Sequence, residues 1–340
     1  MSSLDDEVSG PEPERPSSLR RAAGTAAKLL VSALALWVLW RAVESKDLFR
    51  VLASADPLLV GVVVVLYLIG QALTAYRWSV IAHRLGFRHR LREMTRYYFI
   101  GMFFNLFGVS TVGGDLVRSL YLGQRDNRRT LALHTVLFDR LSGLAMLVMV
   151  AVMALAVFGR FGLPWPLVAL TAAAGAALTL GWWIVPPLAR RVLPRGSRAL
   201  RLIEEDLGPF WHDRELLIRA AWVSSGFHIL QVLALILLGH AIHMQVDWRY
   251  YFVFHPLVTV LSAMPVSLAG LGIREMGYVW FLKRHGVPAD TAFAFGLLWF
   301  FVLTVSSLTG GLVYLLSGTA VPLARNQGTA GRDAATASEP

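Results

Sequence analysis

Three places in the chain set an acid within three residues of an arginine in otherwise apolar sequence. They are Asp115 with Arg118, Asp139 with Arg140, and Arg274 with Glu275. Charges at membrane depth are costly, and they mark functional sites unless they only satisfy one another. Arginine offers a planar, permanently charged fork that grips phosphate through paired hydrogen bonds. Arg118 and Arg274 each follow a glycine break, Gly113–Gly114 and Gly270–Leu271–Gly272. Glycine there lets a ligand approach the backbone, and half-helices ending there present unpaired N–H groups and positive dipole ends. The combination reads as a site for a phosphodiester headgroup, with Arg118 and Arg274 on the phosphate. Asp115, Asp139 and Glu275 then balance or gate charge, or bind an amine-bearing headgroup or a proton. Asn105, Ser110, Thr111 and Ser267 add neutral hydrogen bonds nearby. The bland alternative is a set of ion pairs fixing helix register, and it weighs most for Asp139–Arg140, which sits in an unbroken apolar run.

The elements that must position these residues follow from composition. Of 340 residues, 56% are hydrophobic and 16% charged, with mean hydropathy +0.55. Soluble domains run at about 45–50% apolar and about 25% charged, so a water-soluble enzyme is excluded. The lack of cysteine excludes disulfides, thiolate chemistry and zinc ribbons. No nucleotide loop and no HExxH or GxSxG motif occurs, so ATP-driven work has no support. His228, His240, His243 and His255 lack metal-site spacing, and neither a metal nor another cofactor is expected. The net charge of +10 comes from 32 Lys+Arg against 22 Asp+Glu. Its arginines fill the gaps between apolar runs, which indicates loops facing an anionic leaflet and no nucleic acid.

Apolar stretches at 22–40, 57–76, 131–158, 164–189, 216–240 and 291–317 are each long enough to cross about 30 Å of hydrocarbon. Two more, Arg96–Leu122 and Tyr250–Leu282, are broken by Gly or Pro and carry charge just past the break. The first is too short to cross twice as helix at about 1.5 Å per residue. The predicted fold is therefore an all-α polytopic membrane protein with six full transmembrane helices plus two re-entrant broken-helix hairpins; eight spans is the alternative. Residues 1–21 form a disordered cytoplasmic tail, 22–318 the membrane domain and 319–340 a second disordered tail. With both termini inside, one face collects the arginines of 15–21, 77–96, 125–129, 190–214 and 325–332. The other keeps only Arg41, Lys46, Arg50, Arg160, Arg249, Lys283 and Arg284. That bias obeys the positive-inside rule and places the chain in the cell membrane.

Laying Gly108–Arg118 over Pro265–Glu275 matches Val109, Ser110 and Gly113 with Val266, Ser267 and Gly270. Around them the order span, span, broken segment, span occurs twice, at about 22–158 and about 164–317. Each half makes an odd number of crossings, so the second copy is inverted. Inverted repeats with interrupted helices at matching places point to a transporter's substrate site; a polytopic scaffold packed through glycines is the alternative.

At these residues the chain resembles the flippase-like transmembrane region of lysylphosphatidylglycerol synthases and its free-standing relatives. The resemblance rests on AYRW (Ala75–Trp78), FIGMFFNLF (Phe99–Phe107), TVGGDLVR (Thr111–Arg118), FDRLSGL (Phe138–Leu144) and PVSLAGLGIRE (Pro265–Glu275). It implies movement of a phospholipid or lipid-linked molecule between leaflets, with an anionic phospholipid or lipid-linked glycan as partner. The family's bifunctional members carry a separate lysine-transferring domain; none is expected after Ser317, and no enzymatic activity with it. The alternatives are a membrane subunit that assists a lipid- or glycolipid-modifying enzyme, and a membrane-embedded transferase using Asp115 as base.

Overall fold

The computed structural model describes residues 45–107, 113–194, 196–201, 213–263 and 270–317, with isolated positions at 30, 33, 34, 37, 38, 41, 203, 204, 208 and 267. Among the described residues all regular structure is helical. In chain order the helices are α1 (Ser45–Ala53), α2 (Pro57–Arg84), α3 (Leu91–Phe107), α4 (Gly113–Arg125), α5 (Arg129–Phe158) and α6 (Trp165–Val192). There follow α7 (Arg198–Arg201), α8 (Arg214–Ala241), α9 (Trp248–Ala263), α10 (Ile273–Lys283) and α11 (Ala289–Ser317).

Four of them, α2, α5, α8 and α11, are long and apolar enough to cross a membrane. The two arms of α6, Trp165–Gly181 and Trp183–Val192, meet at 64° and make up to a fifth span. Pro186 and Pro187 lack the N–H groups that would bond the Trp182 and Trp183 carbonyls, which opens the helix there. The expected first span, 22–40, lies outside the described residues save for scattered positions, as do both predicted tails. Sequence signals account for the starts. Asp56 accepts hydrogen bonds from the N–H groups of Leu58 and Leu59, with Pro57 in the first turn of α2. Asp213 does the same for Leu216 at the head of α8.

Helices α2 and α8 lie side by side and antiparallel along their whole length. The Asp56 N–H, just before α2, donates to the Ala241 carbonyl at the end of α8 (2.9 Å). Gly70 abuts Phe227 midway, and Arg84 pairs with Asp213 at the far end. The broken segments are antiparallel hairpins. In α3–α4, Tyr97 stacks on Tyr121 at 5.2 Å, Gly101 faces Arg118, and Asn105 accepts from the Gly114 N–H at 3.0 Å. In α9–α10, Tyr250 donates to the Phe281 carbonyl at 3.0 Å and Val258 covers Gly277. Because α3 follows the end of α2 and α9 follows the end of antiparallel α8, the hairpin bases lie at opposite ends of the bundle.

Close packing needs glycine at the first hairpin. A Cβ on Gly114 would run into the Gly101 carbonyl, and one on Gly310 into that of Phe99. The hairpins also exchange partners: α3 packs on α11 and α9 on α5. Aromatic side chains fill the second hairpin's core, with Tyr250, Phe254, Tyr278, Phe281 and Phe295 all buried. Trp78, Phe87, Met94 and Tyr121 fill the first.

Candidate functional site

The tip of the first hairpin meets α5 about 16 Å from the start of that helix, counted from Arg129 to Arg140 at about 1.5 Å per residue. An ionic network sits there. Asp139, 2% exposed, receives two arginines. The Arg118 terminal nitrogens donate to its Oδ2 at 3.1 and 3.2 Å, and Arg77 Nε donates to its Oδ1 at 2.9 Å. Arg77 also donates to Ser224 Oγ at 2.7 Å and to the Asp139 backbone carbonyl at 3.1 Å. Arg118 also lies against two aromatic rings, its guanidinium carbon 4.9 Å from the centre of Trp78 and 5.1 Å from that of Tyr98; such contact is favourable for a desolvated cation. Trp78 is fixed in turn by donating to Thr135 at 3.0 Å.

Asp115 links this core to Arg140. Arg140 donates to its two oxygens in fork fashion, at 2.9 and 3.0 Å, while Arg118 Nε lies 3.2 Å from Oδ1. Asn105 approaches the same oxygen at 3.5 Å. The adjacency reading of Asp115 with Arg118 holds, with Arg140 added; that of Asp139 with Arg140 is corrected, since Asp139 pairs with Arg77 and Arg118. Neighbours on a helix point about 100° apart, so Asp139 turns to α2 and α4 while Arg140 turns to the hairpin tip.

Arg118 is 2% exposed, its terminal nitrogens bonded to Asp139 and its Nε within ion-pair distance of Asp115. Arg140 is different. More than half of its side-chain surface, 56%, is open. It stands in the same helical stripe as Leu133, Leu137, Leu141 and Leu144, all exposed. Three guanidinium charges, Arg77, Arg118 and Arg140, face two carboxylates, Asp115 and Asp139. Among the described residues the network thus carries one surplus positive charge, and the accessible arginine is where an anion can meet it.

The second hairpin holds its own pair. Gly270 and Gly272 have φ of +75° and +83°, a region costly for residues with a Cβ. Their turn aims the Gly272 N–H at Glu275 Oε2, 2.6 Å away. Arg274 donates twice to Glu275 Oε1, at 3.0 and 2.7 Å, and lies 5.3 Å over the Phe300 ring. Ser267 is buried, and its hydroxyl has no partner among the described residues. Arg118 and Arg274 thus belong to separate clusters. Gly113 and Gly114 lie at the first tip; Ser110 and Thr111 lie outside the described residues.

Sequence reading placed Arg77 in a basic loop and ended its span at 76. Instead, α2 runs to Arg84 and buries Arg77, which is 4% exposed. The available signal was an arginine ahead of Trp78 with no break in helical sequence. Nothing in the order of residues marked Ser224, which lies 147 positions away. A side chain at Gly143 would meet the Arg77 guanidinium at 3.1 Å, which explains the glycine of the FDRLSGL segment.

Fold and site together define a multi-pass α-helical membrane protein with a buried ionic centre. The chain belongs to the lysylphosphatidylglycerol synthase TM region family, whose model matches residues 25–311. It is also similar to the glycosyltransferase AglD of Haloferax volcanii, 34% identical over 114 residues, covering 33% of this chain and 18% of that protein. The match spans about a fifth of the relative's length.

Proposed function

We propose that the protein is a lipid translocase, not driven by ATP, that carries a negatively charged headgroup between leaflets. One observation carries this reading: Arg140, open and bearing the network's surplus charge, stands in an exposed leucine stripe. Asp115 holds one edge of its fork, and the open surface is left for an anion to meet the remaining positive charge. Leucines beside it suit acyl chains and do not suit a hydrated ion. Arg140 takes the phosphate; Asp115 orients its fork. Arg118 and Asp139 act behind them as positioning residues, and Asn105, Gly113 and Gly114 shape the tip. Arg274 and Glu275, with Ser267, Gly270 and Gly272, form the second tip, with Ser110 and Thr111 assigned to the first.

In this reading the hairpins are re-entrant and the halves are inverted repeats. Antiparallel α2 and α8 support it, as do hairpin bases at opposite ends and the exchanged contacts of α3 and α9. The arginine-rich end, with Arg84, Arg88, Arg90, Arg92, Arg128 and Arg129, faces the cytoplasm of a cell membrane.

The test is mass spectrometry of lipids retained after gentle purification. An anionic phospholipid or lipid-linked phosphate is expected on the wild type and depleted at least tenfold in Arg140→Ala. Equal retention of zwitterionic lipid by both proteins would contradict the reading. The partial likeness to a named glycosyltransferase favours a second reading, an accessory subunit in lipid glycosylation. That reading expects co-purification with a transferase and no lipid exchange by the chain alone.

A further inference from the structure

The end of α2 and the turn after it carry two histidines whose rings meet acceptors on both sides. His83 Nδ1 lies 2.6 Å from the Ser79 carbonyl, and its Nε2 lies 2.8 Å from the His89 carbonyl. A carbonyl oxygen only accepts, and a neutral imidazole has a single N–H. Both contacts are hydrogen bonds only when His83 is an imidazolium; the neutral ring sets a lone pair against one of the two oxygens. His89 repeats the pattern with carboxylates. Its ring is buried, with Nδ1 3.9 Å from Glu93 and Nε2 3.4 Å from Asp126. Neither ring nitrogen of His89 has a hydrogen-bond partner among the described residues. The protonated ring is drawn to both carboxylates, whereas the neutral ring turns a lone pair toward one of them.

These contacts run in series across the base of the first hairpin. Ser79 belongs to α2, Glu93 to the first turn of α3, and Asp126 to the turn between α4 and α5. The His89 ring also meets the Tyr97 ring edge-on, 6.0 Å between centres, and Tyr97 stacks on Tyr121 of α4. The two histidines therefore tie both ends of the hairpin to α2. Several cations share this end of the bundle. Arg84 of α2 is paired with Asp213, ahead of α8. Arg96 of α3 lies over the Tyr97 ring at 5.6 Å, and Arg128, just before α5, over the Phe87 ring at 5.3 Å. Arg88, Arg90 and Arg92 are exposed. These cations oppose a proton on the histidines, while Glu93 and Asp126 favour it and are the groups in ion-pair range of the His89 ring.

We propose that His83 and His89 form a proton-dependent clasp on the base of the first hairpin. Charged, they hold the turn after α2 against the turn after α4; when they lose their protons, the base loosens. Histidine changes charge between about pH 5 and 8, so the clasp holds on the acid side of that range and slackens on the alkaline side. It acts whatever headgroup is carried at Arg140. Full-length chain labelled with 15N-histidine in nanodiscs reads the charge, with the two rings assigned through His83→Gln and His89→Gln. Both rings should be imidazolium at about pH 5 and neutral at about pH 8. Hydrogen–deuterium exchange, corrected for its intrinsic pH dependence, reads the clasp. Amides of 85–97 and 121–128 should exchange several-fold faster at the higher pH, while those along the α2–α8 contact change little. His89→Gln should exchange at the fast rate at both pH values. Asp126→Asn, a change at a partly exposed side chain, should move the His89 titration to lower pH. Rings that are neutral at about pH 5, or a His89 titration unmoved in Asp126→Asn, overturn the charged pair. Rings that titrate without any change in exchange, or a His89→Gln variant as protected as wild type in acid, overturn the clasp.

Discussion

At the scale of residues, the two central arginines divide the labour. Arg118 lies against two rings and is shared by two carboxylates; Arg140 keeps an open surface. Replacing Asp139 by Ala strands Arg77 as a buried cation without a carboxylate and leaves Arg118 with Asp115 alone, a loss of about 3–5 kcal/mol. Thermal melting in detergent should show a large fall in Tm for Asp139→Ala. Arg140→Ala should cost far less, because Asp115 keeps Arg118, while binding of anionic lipid is lost. Equal melting of both variants would contradict this division. The presence of charged residues at depth was legible from Asp115, Arg118, Asp139 and Arg140 themselves. Their partners were not, because a helix turns adjacent side chains apart and brings Arg77, 62 positions away, onto Asp139.

At the scale of elements, both hairpins were legible through Gly113–Gly114 and Gly270–Gly272, since each break removes the side chains that a straight span would keep. What sequence could not convey is how tightly the arms close. Gly114→Ala sets a methyl against the Gly101 carbonyl, so the variant should express poorly or lose lipid binding, as Gly310→Ala should at the α3–α11 contact. Near-normal yield and binding in both would mean that the arms can part without loss. The clamp between α2 and α8 gives a pH-dependent prediction. The Leu216 backbone N–H first, and then Arg84, hold the Asp213 carboxyl below the usual carboxylate range, outweighing its desolvation. A depressed carboxylate stabilises the fold above its unfolded value of about 3.9, and the contribution fades as pH falls through the folded value. Asp213→Asn keeps a capping oxygen but loses the charge that pairs with Arg84, so it should be less stable than wild type near neutrality by up to about 1 kcal/mol. The gap should close in acid. A gap that persists or widens there would show that Asp213 acts by some other means.

At the scale of the whole molecule, the bases of the two hairpins lie at opposite ends of the bundle. The antiparallel, side-by-side run of α2 and α8 is what sets the two bases apart. A chain without cysteine makes the arrangement simple to probe. An impermeant thiol reagent outside should label Lys283→Cys at the second base, and reach Gln124→Cys at the first only after permeabilisation. Labelling of both from one face would deny opposed entry. The most direct measurement is leaflet exchange in proteoliposomes, comparing phosphatidylglycerol with phosphatidylcholine for wild type and Arg140→Ala. Wild type should move the anionic lipid at least tenfold faster than the zwitterionic one, and Arg140→Ala should lose that difference. Equal rates for the two lipids in wild type, or an unchanged preference in Arg140→Ala, would contradict an anionic headgroup held by the open arginine.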